Sequence, residues 1–230
     1  LATILGVCGC GGNGISIQPK GYDALLATFD LANPAHGLES GTNTVTDEPQ
    51  AAALLLMAES ARYKWTGSPE AKQRAENAVR WLLDHPNLQS SGTIGWGLGF
   101  AWDAFSDGST NPVGTVYGVS QAIVLEGLMD SLESGVLNGD LAAETRAAVA
   151  VAVRTGDTRL FDVAGGWYAY SDQAADHEYV PNVNAYMAAQ TQRALHLLGG
   201  TFSASEAATF SAHVERARSN LEALMEPGMT

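Results

Sequence analysis

Three stretches of the chain, residues 32–48, 85–111 and 155–181, hold the side chains best suited to chemistry. They contain ten carboxylates, Glu39, Asp47, Glu48, Asp103, Asp107, Asp157, Asp162, Asp172, Asp176 and Glu178, against a single Lys or Arg, Arg159. They also carry Trp96, Phe100, Trp102, Phe105, Trp167, Tyr168, Tyr170 and Tyr179. Aromatic rings stack on the C–H faces of sugars, and Tyr and Trp add a polar handle. Two carboxyls across a glycosidic bond, one protonated and one ionised, hydrolyse it. Asp103, Asp107 and Glu178 are the expected members of such a pair, because each lies beside aromatics at a helix entrance. Their competing role is structural: Asp103 and Asp107 suit turn caps around Gly108, and Asp47 suits the cap of the next helix. Trp96, Trp167 and Tyr168, flanked by glycines that admit close backbone approach, are the expected sugar contacts, with packing in the mouth of a barrel as their alternative. Phe100, Trp102 and Phe105, among Ala and Phe neighbours, are expected in the loop core.

A second chemistry uses other residues. Proton abstraction beside a uronic carboxylate needs a Tyr or His base, with Asn or Arg to hold the acid group. His177, Tyr179, Asn182, Asn184 and Tyr186 form a run with that inventory, and Asn182 and Tyr186, four apart, share a helix face. Asn43, Asn111 and Tyr117 are placed to join them from neighbouring segments. Electrostatics opposes this reading, since a polyuronate would approach ten carboxylates. Bound Ca²⁺ would reverse that sign, as hard cations take clustered carboxylates. The spacings Asp103-x-x-x-Asp107 and Asp172-x-x-x-Asp176 are compatible with Ca²⁺ but match no EF-hand loop. No metal site and no cofactor is assigned.

Composition narrows the partners. The chain has 230 residues, 12 Lys and Arg against 25 Asp and Glu, and a net charge of -13. Such a balance leaves no basic field for phosphates, which excludes nucleic acid. With 46% hydrophobic residues the chain has enough apolar material to fold. No window reaches the ~20 apolar residues of a membrane span. Residues 1–20 form a separate unit, in which apolar Leu1–Val7 precedes Cys8-Gly9-Cys10. The run Val7-Cys8-Gly9-Cys10 resembles a bacterial lipobox and reads as the remnant of an export signal, with Cys10 as the lipid acceptor. That implies an exported, periplasmic or cell-surface lipoprotein. Both cysteines lie there, so the body has no disulfide framework and no Cys-based zinc site.

The elements that must position these groups are helices. Patterns at helical spacing cover 21–31, 49–66, 68–84, a third long helix from Asn111-Pro112, a fourth from Asp140, a fifth from Pro181 and a sixth from the capping box Ser203-x-x-Glu206. Short links join the long helices in pairs, and the three long stretches separate the pairs. Since antiparallel helices reverse at each link, the long stretches gather at one end of the bundle, where functional loops are expected. Those stretches also echo one another. From Trp96 an acid follows at Asp107 and an Asn at Asn111; from Trp167, Glu178 and Asn182 fall at the same intervals. Repetition of this kind signals a stacked or toroidal array.

Gly95-Trp96-Gly97, Ala101-Trp102-Asp103-Ala104-Phe105 before Asn111-Pro112, and Gly165-Gly166-Trp167-Tyr168 resemble the α/α-toroid superfamily, which includes six-hairpin glycosidases and polysaccharide lyases. The resemblance covers most of 40–226 as architecture and matches no single active-site motif. It implies an all-α protein, an open (α/α)3-like array of three hairpins over residues 21–230, or part of a larger toroid. It also implies a polysaccharide or oligosaccharide partner. Glycoside hydrolysis is the first reading, a lyase or uronate epimerase the second, and a non-catalytic module binding a glycan or a protein the third.

Overall fold

The computed structural model describes residues 19–27, 32–38, 45–86, 92–176 and 178–224. The expectations for Cys8, Cys10, Glu39, Asn43 and His177 fall outside that set. Six long helices follow the short α1 (Pro19–Leu26): α2 (Pro49–Thr66), α3 (Pro69–Asp84), α4 (Gly118–Glu133), α5 (Gly139–Thr155), α6 (Pro181–Leu197) and α7 (Ala204–Leu224). Local signals set their ends. Pro49 and Pro181 open α2 and α6, where a missing N–H costs nothing. Gly67, left-handed at φ 66°, ends α2 and donates its N–H to the Tyr63 carbonyl. The Ser68 hydroxyl accepts from the Ala71 N–H and so caps α3. At α7 the expected capping box is formed in both directions, Ser203 N–H to Glu206 and Glu206 N–H to Ser203.

The six helices form three hairpins in two layers. Helices α2, α4 and α6 lie side by side as the inner layer, and each packs on its own outer partner, α3, α5 or α7. Inner helices approach closely where α4 carries Gly127, since a Cβ there would lie 2.9 Å from the Ala53 carbonyl oxygen of α2. One core, with Leu56, Leu82, Trp96, Leu125, Leu128 and Met129, fills the space between the layers. A second, with Leu160, Phe161, Tyr168, Val183, Met187 and Val214, seals α6 and α7 against the loop after α5.

All three inner helices begin where a long segment ends, so those segments share one end of the bundle, as the alternation of link lengths requires. Gln50 Nε2 donates to Ser120 Oγ at 2.5 Å, and the Gly118 N–H donates to the Tyr170 carbonyl at 2.9 Å. These bonds gather the starts of α2, α4 and α6. Two small antiparallel pairs decorate this end, β1 (His36–Leu38) with β2 (Val45–Asp47), and β3 (Phe161–Asp162) with β4 (Trp167–Tyr168). Among the described residues no helix is long and apolar enough to cross a membrane.

Two sequence expectations need correction. Helix α4 starts at Gly118, seven residues later than Asn111. The intervening backbone is taken up by bridges, Trp102 with Asn111, Gly97 with Val116 and Tyr117 with Ser171. Residues whose amides pair across loops are not free to enter a helical ladder. The echo between Trp96 and Trp167 also does not carry into space. Asn111 is buried in a loop, whereas Asn182 is exposed in the first turn of α6.

Candidate functional site at the loop end

Two of the three carboxylates expected to react, Asp103 and Asp107, brace their own loop. Asp103 Oδ1 accepts from the Asp107 N–H at 3.2 Å and its Oδ2 from the Gly108 N–H at 2.9 Å. Between them Ser106 sits at φ 56°, a strained setting for a residue with a side chain, and the two bonds hold it there. Asp107 in turn accepts from the Ser109 hydroxyl at 2.5 Å and amide at 2.8 Å, and these donors pull its carboxyl below the usual range. Asp47 does not cap α2; it accepts from Asn33 Nδ2 at 2.9 Å and meets His36 Nδ1 at 3.2 Å, bracing the start of the β1–β2 pair. Glu178 is exposed beside the bridge between Ala169 and Tyr179.

The aromatics exchange roles. Trp96 is fully buried, its ring N–H donating to the Leu82 carbonyl at 2.8 Å, so it has no face to offer a sugar. Tyr168 is 1% exposed, with its hydroxyl 3.3 Å from Thr191 Oγ1 and its backbone held in both directions by Asn184. Trp167 is half-buried, edge-on to Tyr179 at 5.7 Å. Trp102 and Phe105, expected in the loop core, are instead 36% and 39% exposed. They flank Tyr170, with centroids 6.3 and 4.9 Å from it, and Trp102 also meets Tyr117 at 5.3 Å. The result is an open aromatic surface at the loop end.

Beneath it lies a buried polar network. Asn111 Nδ2 donates to the Tyr117 hydroxyl at 2.9 Å and to Asp176 Oδ2 at 2.5 Å. Ser171 Oγ donates to the same carboxylate oxygen at 2.9 Å. Asp176 is 1% exposed, so these two donors replace the water it loses. Burial raises the phenols of Tyr117 and Tyr170. Asn111 and Tyr117, expected beside the His177–Tyr186 run, bond to each other and to Asp176 through Asn111. Asp176 was not singled out, and its only signal was the four-residue spacing from Asp172. Tyr179 shares a different corner; its hydroxyl is buried without a hydrogen-bond partner among the described residues, and burial raises its pKa. Among the described residues no group of three His, Cys, Asp or Glu is placed to hold a metal.

The inner layer of α2, α4 and α6 backed by α3, α5 and α7, with long loops at one end, defines an α/α-toroid fold. Solved structures agree. The chain is similar to a D-mannose isomerase, with a TM-score of 0.52 and 18% identity over 76% of this chain and 40% of that one. It is also similar to a GH76 alpha-mannanase from Bacteroides thetaiotaomicron, with a TM-score of 0.52 and 13% identity over 89% of this chain and 56% of that one. The chain therefore spans about half the length of these two toroid proteins. No protein-family model and no curated protein sequence matches it.

Proposed function

We propose that the chain is a carbohydrate-active toroid protein that binds a neutral glycan at the loop end, across Trp102, Phe105 and Tyr170. The observation that carries this reading is the exposed aromatic cluster, held rigid from below by Asn111, Asp176 and Tyr117. Trp96, by contrast, is wholly covered. The net charge of -13 favours a neutral ligand. Mannose-configured glycans are the class to try first, since both similar structures act on mannose or a mannan by their names.

For hydrolysis the loop hydrogen bonds of Asp103 and Asp107 leave Glu178, exposed beside the Ala169–Tyr179 bridge, as the carboxylate to test first. Asp176 then serves as a positioning residue under the rings. The lyase alternative rests on the Tyr179 hydroxyl, buried with no hydrogen-bond partner among the described residues. The N-terminal Val7-Cys8-Gly9-Cys10 supports export and lipidation at Cys10 within the same proposal.

Titration of the protein with α-mannan and other neutral polysaccharides, with product analysis in the presence and absence of EDTA, tests the reading. Wild type binds at least one neutral glycan, and Trp102→Ala weakens that binding about tenfold or more, the scale of a lost aromatic contact of ~1.5 kcal/mol. Reducing-end products lost in Glu178→Gln establish hydrolysis. An unsaturated product from a parallel polyuronate digest, lost in Tyr179→Phe, establishes the lyase instead. Binding that ignores Trp102→Ala removes the loop-end site.

A further inference from the structure

The inner layer carries a polar row that none of the sequence readings used as a unit. On α4, burial leaves Val119, Ile123, Glu126, Asp130 and Glu133 along one stripe, at the three- and four-residue spacing of a single helix face. On α6 the facing positions are Tyr186 and Arg193. The Tyr186 hydroxyl donates to Glu126 Oε2 in a short hydrogen bond. One turn and two turns farther, Arg193 bridges Asp130 at 2.5 Å and Glu133 at 2.7 and 3.1 Å. Burial and the neighbouring carboxylate both raise the Tyr186 phenol, which keeps it a donor.

This row leads down from the loop-end surface. Tyr170 of that surface, Val119 and Tyr186 all border the same apolar core. Nine residues separate Tyr117, at the head of α4, from Glu126, about 14 Å along a helix axis. A single sugar ring does not span that length, but a short oligosaccharide does. Carboxylates, a phenol and a guanidinium held by one another are the side chains that pair with vicinal hydroxyls without a further ordering cost.

Resting on the loop-end reading, we infer that the glycan site extends from Trp102 and Tyr170 onto the inner helices, where Glu126 and Tyr186 bind the hydroxyls of an outlying ring, so that the ligand is an oligosaccharide and not a monosaccharide.

The test is the length dependence of binding, measured calorimetrically with mannose and with an α-linked mannotetraose. In wild type the tetrasaccharide binds at least about tenfold more tightly than the monosaccharide, the scale of hydrogen bonds to charged groups. Glu126→Gln and Tyr186→Phe each bring that ratio to within about twofold of unity. Trp102→Ala weakens both ligands and leaves their ratio in place. The conservative Tyr186→Phe keeps the ring and its packing, and an unchanged melting temperature shows that the effect is not unfolding. A wild-type ratio near one, or a ratio that both inner-face variants preserve, overturns the inference while the loop-end reading stands. If Trp102→Ala has no effect but the ratio still collapses in Glu126→Gln, the loop-end reading fails and the inner-face contact survives. No binding of either sugar removes both.

Discussion

At the scale of single residues, the buried charges are the points of greatest consequence. Glu59 of α2 is fully buried, with Arg74 of α3 at 3.1 Å and the Tyr22 hydroxyl at 2.5 Å. The Arg74 contact lacks hydrogen-bond alignment, so its contribution is Coulombic, while Tyr22 supplies the directional bond. Burial, then the bond to Glu59, raises the Tyr22 phenol. Removing one partner of a buried pair strands the other, at a cost of about 3–5 kcal/mol. Arg74→Met is therefore expected to lose about 3 kcal/mol in urea unfolding, although it keeps the apolar stem. A loss below about 1 kcal/mol would mean that Tyr22 alone satisfies the carboxylate. Glu59 illustrates what residue type hides. In the sequence it is one acid in an apolar helix, and its partners come from other helices, 15 residues later and 37 earlier.

At the scale of elements, the two ends of the bundle respond differently to change. Gly97 lies where the loop before α4 doubles back, and a Cβ there would stand 2.2 Å from the Gly114 carbonyl oxygen and 2.7 Å from that of Thr115. Both obstacles are backbone, so Gly97→Ala must move the loop, at roughly 1–3 kcal/mol for an overpacked site. Because the same loop carries Trp102, glycan affinity is expected to fall with stability. Ser68→Ala, at the opposite end, removes the cap of α3 and costs about 1 kcal/mol. Its glycan affinity should match wild type, which a binding titration beside a thermal melt will show. Helix ends such as Pro49, Gly67, Pro181 and Ser203 were legible because each is set by its own few residues. The start of α4 was not legible. Its delay from Asn111 to Gly118 is enforced by bridges to Trp102, Gly97 and Ser171, and pairing across a loop leaves no periodic trace.

At the scale of the whole molecule, charge governs the response to acid. Glu206 is held at about 2 by the Arg154 guanidinium first, and by Ser203. Glu133 is lowered by Arg193, and Asp107 by Ser109. A carboxyl lowered in the folded state adds stability above its unfolded pKa, about 4.3 for Glu, and loses it as pH falls through the folded value. Between pH 7 and the isoelectric point of 4.6, discharge of the acidic excess opposes any loss. The melting temperature should thus hold or rise slightly to about pH 5 and then fall steeply between about pH 4.5 and 2. A fall that begins near pH 6 would point to histidine and not to these carboxylates. By itself the sequence determined the all-helical class, the three hairpins, the shared end of the long loops and the acidic field there. Periodicity, capping and link length are local, and charge is a sum. Only the tertiary structure decided which loop groups stabilise and which face outward. Trp96 lies between glycines and Trp102 between Ala101 and Asp103, yet it is Trp96 that enters the core and Trp102 that reaches the surface, and Asp103, Asp107 and Asp176 part company in the same way. Burial depends on which distant backbone lies against each side chain, and that is set by the packing of the hairpins.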